Sequence, residues 1–224
     1  MIKLFQDQLS HFVFLLVSLW VIAFIGDNYP VYLAGELWGV STKCWLYIAI
    51  GSPIIHQIYV LFCWRLELYS QTISKTFGNK GFVYYKVGFA FLILSRPVTL
   101  TLLAASNANS LDVNPYVSYL IAILLFIPAA YLFYSVKKYF GMDRAFGVDH
   151  FEPEKAKLFS MVTKGIFKYT SNGMYVFGFL ILWVPGFLFL SKAALLIALF
   201  NHVYIWIHYY YTEKPDMDFI YGDK

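Results

Sequence analysis

The sequence predicts an all-α, polytopic integral membrane protein of about six transmembrane helices, with five as the alternative count. Three observations carry that prediction. The first is composition: the 224 residues are 60% hydrophobic and 21% aromatic but only 13% charged, whereas soluble domains carry roughly 25% charged residues. A globule of this length has too little interior for so much apolar surface, so lipid is the solvent for most of it. The second is the recurrence of apolar windows of span length at residues 10–26, 43–63, 83–105, 115–136, 174–190 and 193–212. The third is charge asymmetry. With six crossings, every loop or terminal Lys and Arg from Lys3 to Lys224 falls on one side except Lys43 and Lys192. The positive-inside rule then places both termini, and the long loop after the fourth span, in the cytoplasm. An endoplasmic reticulum membrane and a bacterial inner membrane fit equally well.

The net charge of +4 is therefore read as topology, and no nucleic-acid partner is expected. Cys44 and Cys63 form neither a disulfide framework nor a metal-ligand set, and no metal is expected. One domain covers residues 1–224, with 1–42 as an added N-terminal span and loop and 43–224 as the core. No obligate protein partner is evident.

Span one lacks a small-x-small pattern before Asp27 and Asn28, so it reads as a retained span and not a cleaved leader. If it did not cross, Lys3 alone would change sides. Span two ends at Arg65-x-Glu67, which an ordinary surface ion pair also explains. Span three is interrupted by Ser95, Arg96 and Pro97. An ionisable group at mid-span costs at least about 2.5 kcal/mol and marks a functional candidate. Arg96 suits a bidentate grip on phosphate; a pair with Glu67 or Glu36, or bonds to helix carbonyls, is the structural alternative. Pro128 and Pro185 predict kinks in spans four and five.

The loop from Tyr139 to Lys168 is long and charged, with Gly141, Gly147 and Gly165 as turn points. It gathers Asp143, Arg144, Asp149 and His150, a set that suits a metal or acid–base site, though without a second cluster at ligand spacing a structural loop or a membrane-surface contact explains it better. Asn172, Gly173, Met174 and Tyr175 then lead into span five, where a helix N-terminus meets a polar ligand or Ser171 or Asn172 simply caps it. On span six, helical spacing makes one stripe of His202, Trp206 or Tyr209, and Glu213, and another of Asn201, Tyr204, His208 and Tyr211. Tyr209 to Tyr211 also read as an interfacial aromatic belt. Pro215 is expected to end the helix and leave Glu213 free to face a ligand.

Taken together, Glu213-Lys214-Pro215 with Tyr221, Asn172-Gly173-Met174-Tyr175 with Gly178, the Tyr139-Phe140-Gly141 turn, and Arg65-x-Glu67 followed by Phe77-Gly78 resemble the phosphatidylethanolamine N-methyltransferase family. That family of small membrane methyltransferases is itself similar to the isoprenylcysteine carboxyl methyltransferases. The resemblance covers roughly residues 50–224. It departs at Lys214, where the family has a second Glu, at Gly173, where it has Pro, and around Tyr116 to Ser118, where its Gly-x-Gly is absent.

The resemblance implies S-adenosylmethionine as cofactor and S-adenosylhomocysteine as product. The cofactor set it implies is Asn172, Gly173, Tyr175, Gly178, Glu213, Pro215 and Tyr221, with Gly141, His202 and Tyr211 beside them. The acceptor would be a membrane phospholipid amine, reached from the bilayer. A base to take its proton would come from His150, Asp149 or His208. Arg96, Arg144 or Lys138 would hold the lipid phosphate, with Glu67 and Tyr139 completing the substrate set. Methylation of an isoprenylated cysteine carboxylate, a sterol reductase, and a non-enzymatic transporter or scaffold are the competing readings. A transporter should carry an inverted repeat or paired broken helices at the midplane, and the sequence shows neither.

Overall fold

The computed structural model describes residues 2–222. Helix α1 (Gln8–Asn28) is followed by a small antiparallel hairpin, β1 (Glu36–Leu37) and β2 (Val40–Ser41). Next come α2 (Thr42–Ser70), the short α3 (Thr72–Phe77), α4 (Gly81–Ser106) and α5 (Pro115–Ser135), which runs on through a π turn at Val136–Phe140. Short helices α6 (Met142–Ala145) and α7 (Pro153–Ala156) lie in the long loop. A broken segment follows, made of α8 (Gly173–Phe177), a 3₁₀ stretch (Gly178–Leu182) and α9 (Val184–Leu188). The chain ends in α10 (Lys192–His208), a second π turn (Tyr209–Glu213) and α11 (Lys214–Tyr221).

Five helices are long and apolar enough to cross a membrane; Gly173–Leu188 is shorter. That segment still runs from one edge of the bundle to the other. Its last carbonyls, Phe189 and Leu190, accept the Asn109 and Leu111 amides of the α4–α5 loop. The 3₁₀ stretch lengthens it, at about 2.0 Å per residue against 1.5 Å in an α-helix. The five long helices and this shorter segment together build the bundle among the described residues. At the edge where α1 begins, the Gln8 side-chain amide donates to the Tyr211 carbonyl at 2.7 Å, so the start of α1 and the second π turn share one edge of the bundle. Lys224 lies outside the described residues.

Two expectations about proline are corrected. Pro97 does not interrupt span three, because α4 is continuous from Gly81 to Ser106. Hydroxyls of Ser95, Thr99 and Thr101 bond the carbonyls of Leu92, Ser95 and Pro97 around it, a local repair that lipid-embedded helices use. Pro215 does not end the last helix either. It sits in the first turn of α11, where its missing N–H leaves no bond unmade. Pro185 likewise occupies the first turn of α9.

α10 is the hub of the bundle and packs on α1, α2, α4 and α9. Ala193, Ala194 and Ala198 are fully buried on it, and such small side chains let neighbouring backbones approach. Asn107 pins the far edge: its carbonyl accepts Ser110, Ser191 and the Ala193 amide, and its NH₂ donates to Val31 and Ala34. α4 packs along α2, whereas α5 packs along Gly178–Leu188. The consecutive helices α4 and α5 are thus not laid along each other, and a slot is left between them.

Candidate functional site

A cavity of about 440 Å³ opens behind that slot. Its walls come from α2, α4, α5, the α6 turn, the Met174–Leu182 stretch, α10 and the second π turn. Most of the lining is aliphatic or aromatic; into it project Arg96, His56, Gln57, His208, and the pair Tyr175 and Glu213. Such a chamber, apolar with a few convergent polar groups, is the usual form of a small-molecule site.

Glu213 reaches the cavity because the last helix changes pitch. In the second π turn the Lys214 amide bonds the Tyr209 carbonyl, five residues back, which adds a residue to the turn and re-aims the side chains; such bulges concentrate at functional sites. The Tyr175 hydroxyl donates to the Glu213 carboxylate. The Tyr175 ring in turn lies 5.7 Å from Trp206 and 5.4 Å from Tyr209. The tyrosine that holds the carboxylate is thus itself packed between two further aromatic rings. Asn172 opens α8 without a side-chain cap bond; its carbonyl takes the Tyr175 and Val176 amides. Gly178 lines the cavity, and a Cβ there would stand 2.7 Å from Leu132 Cδ2.

Of the three base candidates, His208 is on the cavity wall. Both of its ring nitrogens lack a hydrogen-bond partner among the described residues. His150 and Asp149 are not in the lining. His150 stacks on Trp64 at 4.0 Å, with Nε2 3.6 Å from Asp216, and Asp149 accepts the Tyr221 hydroxyl at 2.6 Å. Tyr221 and Asp149 thus tie α11 to the long loop. Gly147 lets that loop close over Trp64, since it has φ +84° and a Cβ would meet the indole at 2.6 Å.

Other predicted residues serve elsewhere. Arg65 and Glu67 are not a surface ion pair. Both are buried: Arg65 pairs with Asp216 at 3.2 Å, and Glu67 accepts the Ile73 and Ser74 amides at the start of α3. Asp216 is thereby committed, and Lys214 pairs with Asp218. Tyr211 stacks on Phe14 of α1, with ring centroids 5.7 Å apart. His202 accepts the Trp183 indole N–H at 3.2 Å. Lys138 bonds the Tyr134 hydroxyl, and the Tyr139 ring packs edge-on against Tyr134. Arg144 donates to the Ser160 carbonyl with its guanidinium near the Phe140 and Phe159 rings. Gly141, at φ +95°, turns the chain from α5 into α6.

Sequence reasoning passed over His56 and Gln57, which line the cavity from α2. The signal was present as two adjacent polar residues at mid-span, where each requires a reason. Among the described residues no group of His, Cys, Asp or Glu is placed to hold a metal.

The comparisons with curated proteins and with solved structures return no match. The family model described as PEMT, phospholipid methyltransferase, matches residues 117–224. The matched segment carries α5, the broken Gly173–Leu188 segment, α10 and the Glu213 turn, which form one wall of the cavity. Over residues 117–224, just under half of its length, the chain is similar to the phospholipid methyltransferase family.

Proposed function

We propose that the protein transfers a methyl group from S-adenosylmethionine to the amine of a membrane phospholipid, phosphatidylethanolamine or its mono- and dimethyl forms, at the cytoplasmic face. The observation that carries this reading is Glu213, a carboxylate held by the Tyr175 hydroxyl on the wall of a largely apolar cavity. A carboxylate and aromatic faces together fit a sulfonium cation. Tyr175 and Glu213 would hold that end of the cofactor, with Gly178 beside them. S-Adenosylmethionine supplies an electrophilic methyl group there and leaves as S-adenosylhomocysteine.

The chain's own work is to position the acceptor and to manage one proton. An ammonium has no lone pair with which to attack. His208, on the cavity wall with both nitrogens uncommitted, is the group to accept that proton. An isoprenylcysteine carboxylate would need no such base, so His208 favours the amine. The apolar walls and the α4–α5 slot suit acyl chains arriving sideways from the bilayer.

The test is calorimetry with S-adenosylmethionine on the protein in lipid nanodiscs, followed by labelled methyl transfer. The acceptors are phosphatidylethanolamine, its mono- and dimethyl forms and a farnesyl-cysteine analogue. Glu213→Gln should weaken cofactor binding by about 10- to 100-fold, the worth of a charge-assisted contact. His208→Gln should leave that affinity intact and lower turnover by about 100-fold. Absence of cofactor binding and transfer in the unaltered protein would overturn the reading.

A further inference from the structure

We infer that Arg96, flanked by His56 and Gln57, forms an anion subsite within the membrane that holds the phosphate of an amphiphile whose hydrocarbon chain occupies the slot between α4 and α5. The inference rests on the cavity being the acceptor-lipid site proposed above, and it identifies what that site reads besides the amine.

Arg96 stands halfway along α4 and is 2% exposed. Its Nε, Nη1 and Nη2 have no hydrogen-bond partner among the described residues. What it does meet is the Phe179 ring, 5.5 Å from the guanidinium carbon. A guanidinium stays protonated in proteins, so burial does not neutralise it. A charge of this kind in an apolar bundle calls for a counter-ion. The carboxylates nearby are engaged elsewhere: Glu67 with the α3 amides, Asp216 with Arg65, Asp149 with Tyr221, and Glu213, on the same cavity wall, with the Tyr175 hydroxyl. The expected pair of Arg96 with Glu67 is therefore absent, and the counter-ion comes from a ligand.

The surroundings specify the ligand. Both ring nitrogens of His56 and the Gln57 NH₂ also lack partners, and all three side chains line the same cavity. A planar fork of donors backed by neutral donors matches a phosphate, which accepts bidentately and has oxygens to spare. Around this polar centre the wall is apolar, and Leu94 and Phe133, which line it, also face outward at 64% and 57% exposure. A ligand there has a charged head and a hydrocarbon tail, so a free anion meets only half of the site.

The test uses hexadecyl phosphate, hexadecanol and inorganic phosphate, added without cofactor to the protein in neutral maltoside micelles, with the change in intrinsic tryptophan fluorescence, to which Trp64 on the cavity wall contributes, as the readout. Hexadecyl phosphate should bind at least about tenfold more tightly than hexadecanol, and inorganic phosphate should not compete. Arg96→Met should lose about 10- to 100-fold of that affinity, and Arg96→Lys less. Because Arg96→Met removes an unpaired buried charge, it should melt at an equal or higher temperature than the parent without ligand, which separates lost binding from lost folding. His56→Gln provides the second variant, with a smaller loss. Equal binding of hexadecanol, or unchanged affinity in Arg96→Met, would overturn the anion subsite. Competition by inorganic phosphate would overturn the amphiphile. Arg96-dependent binding without methyl transfer would remove the proposed reaction and keep this site.

Discussion

Arg65 and Asp216 lie 151 residues apart in sequence and pair with their side chains fully buried. The other donors of Arg65 reach the carbonyls of Leu4, Gln6 and Tyr211, and Tyr69 donates to Asp216. One guanidinium thus joins the N-terminal segment, α2 and the α10–α11 junction, directly beneath the turn that carries Glu213. Removing one partner leaves the other buried without its counter-charge, a loss of about 3–5 kcal/mol. Asp216→Asn should therefore lower the melting temperature in detergent clearly. It should also weaken S-adenosylmethionine binding, because Glu213 loses its anchor three residues away. A variant that melts early yet binds cofactor normally would confine Asp216 to stability. Glu213 was legible in the sequence, where a carboxylate follows an aromatic span end; the Arg65–Asp216 pair was not. Arg65 and Glu67 looked like neighbours on one helix, and nothing local reveals a partner brought in by tertiary packing.

The elements were the most legible part, because a membrane span is dictated by the length of its apolar run. The windows at 10–26 and 83–105 fall inside α1 and α4. The misreadings were of proline. In water a proline is a stop signal, whereas in a bundle hydroxyls recapture nearby carbonyls and a π turn resets the register. The π turn is itself invisible to apolar periodicity, and it determines which way Glu213 points. The long loop was legible through its glycine turn points, and Gly147 supplies a sharp check. At φ +84° with the Trp64 indole against the site of a Cβ, Gly147→Ala imposes both backbone strain and a clash. It should destabilise the protein by about 1–3 kcal/mol, read as a lower melting temperature. It should also shift the intrinsic tryptophan emission, since the Trp64–His150 stack must move.

At the scale of the whole molecule, the six passes expected from the sequence and the basic loops make a joint prediction about sidedness. Lys43 and Lys192 stand at the edge where α2 and α10 begin, and the long loop with Lys155 and Lys164 stands at the edge where α1 starts and the second π turn lies. If that second edge is cytoplasmic, as the positive-inside rule requires, a membrane-impermeant maleimide distinguishes the two. Cys44, exposed in the first turn of α2, should label in sealed right-side-out vesicles of a Cys63→Ser background. A cysteine placed at the exposed Lys164, in a chain also carrying Cys44→Ser, should label only after permeabilisation. The reverse pattern would invert the protein and place the Glu213 turn away from the cytoplasmic supply of S-adenosylmethionine. Labelling of both positions from the same side would break the six-pass arrangement, and with it the shared edge that brings α1, α10 and α11 together around Arg65.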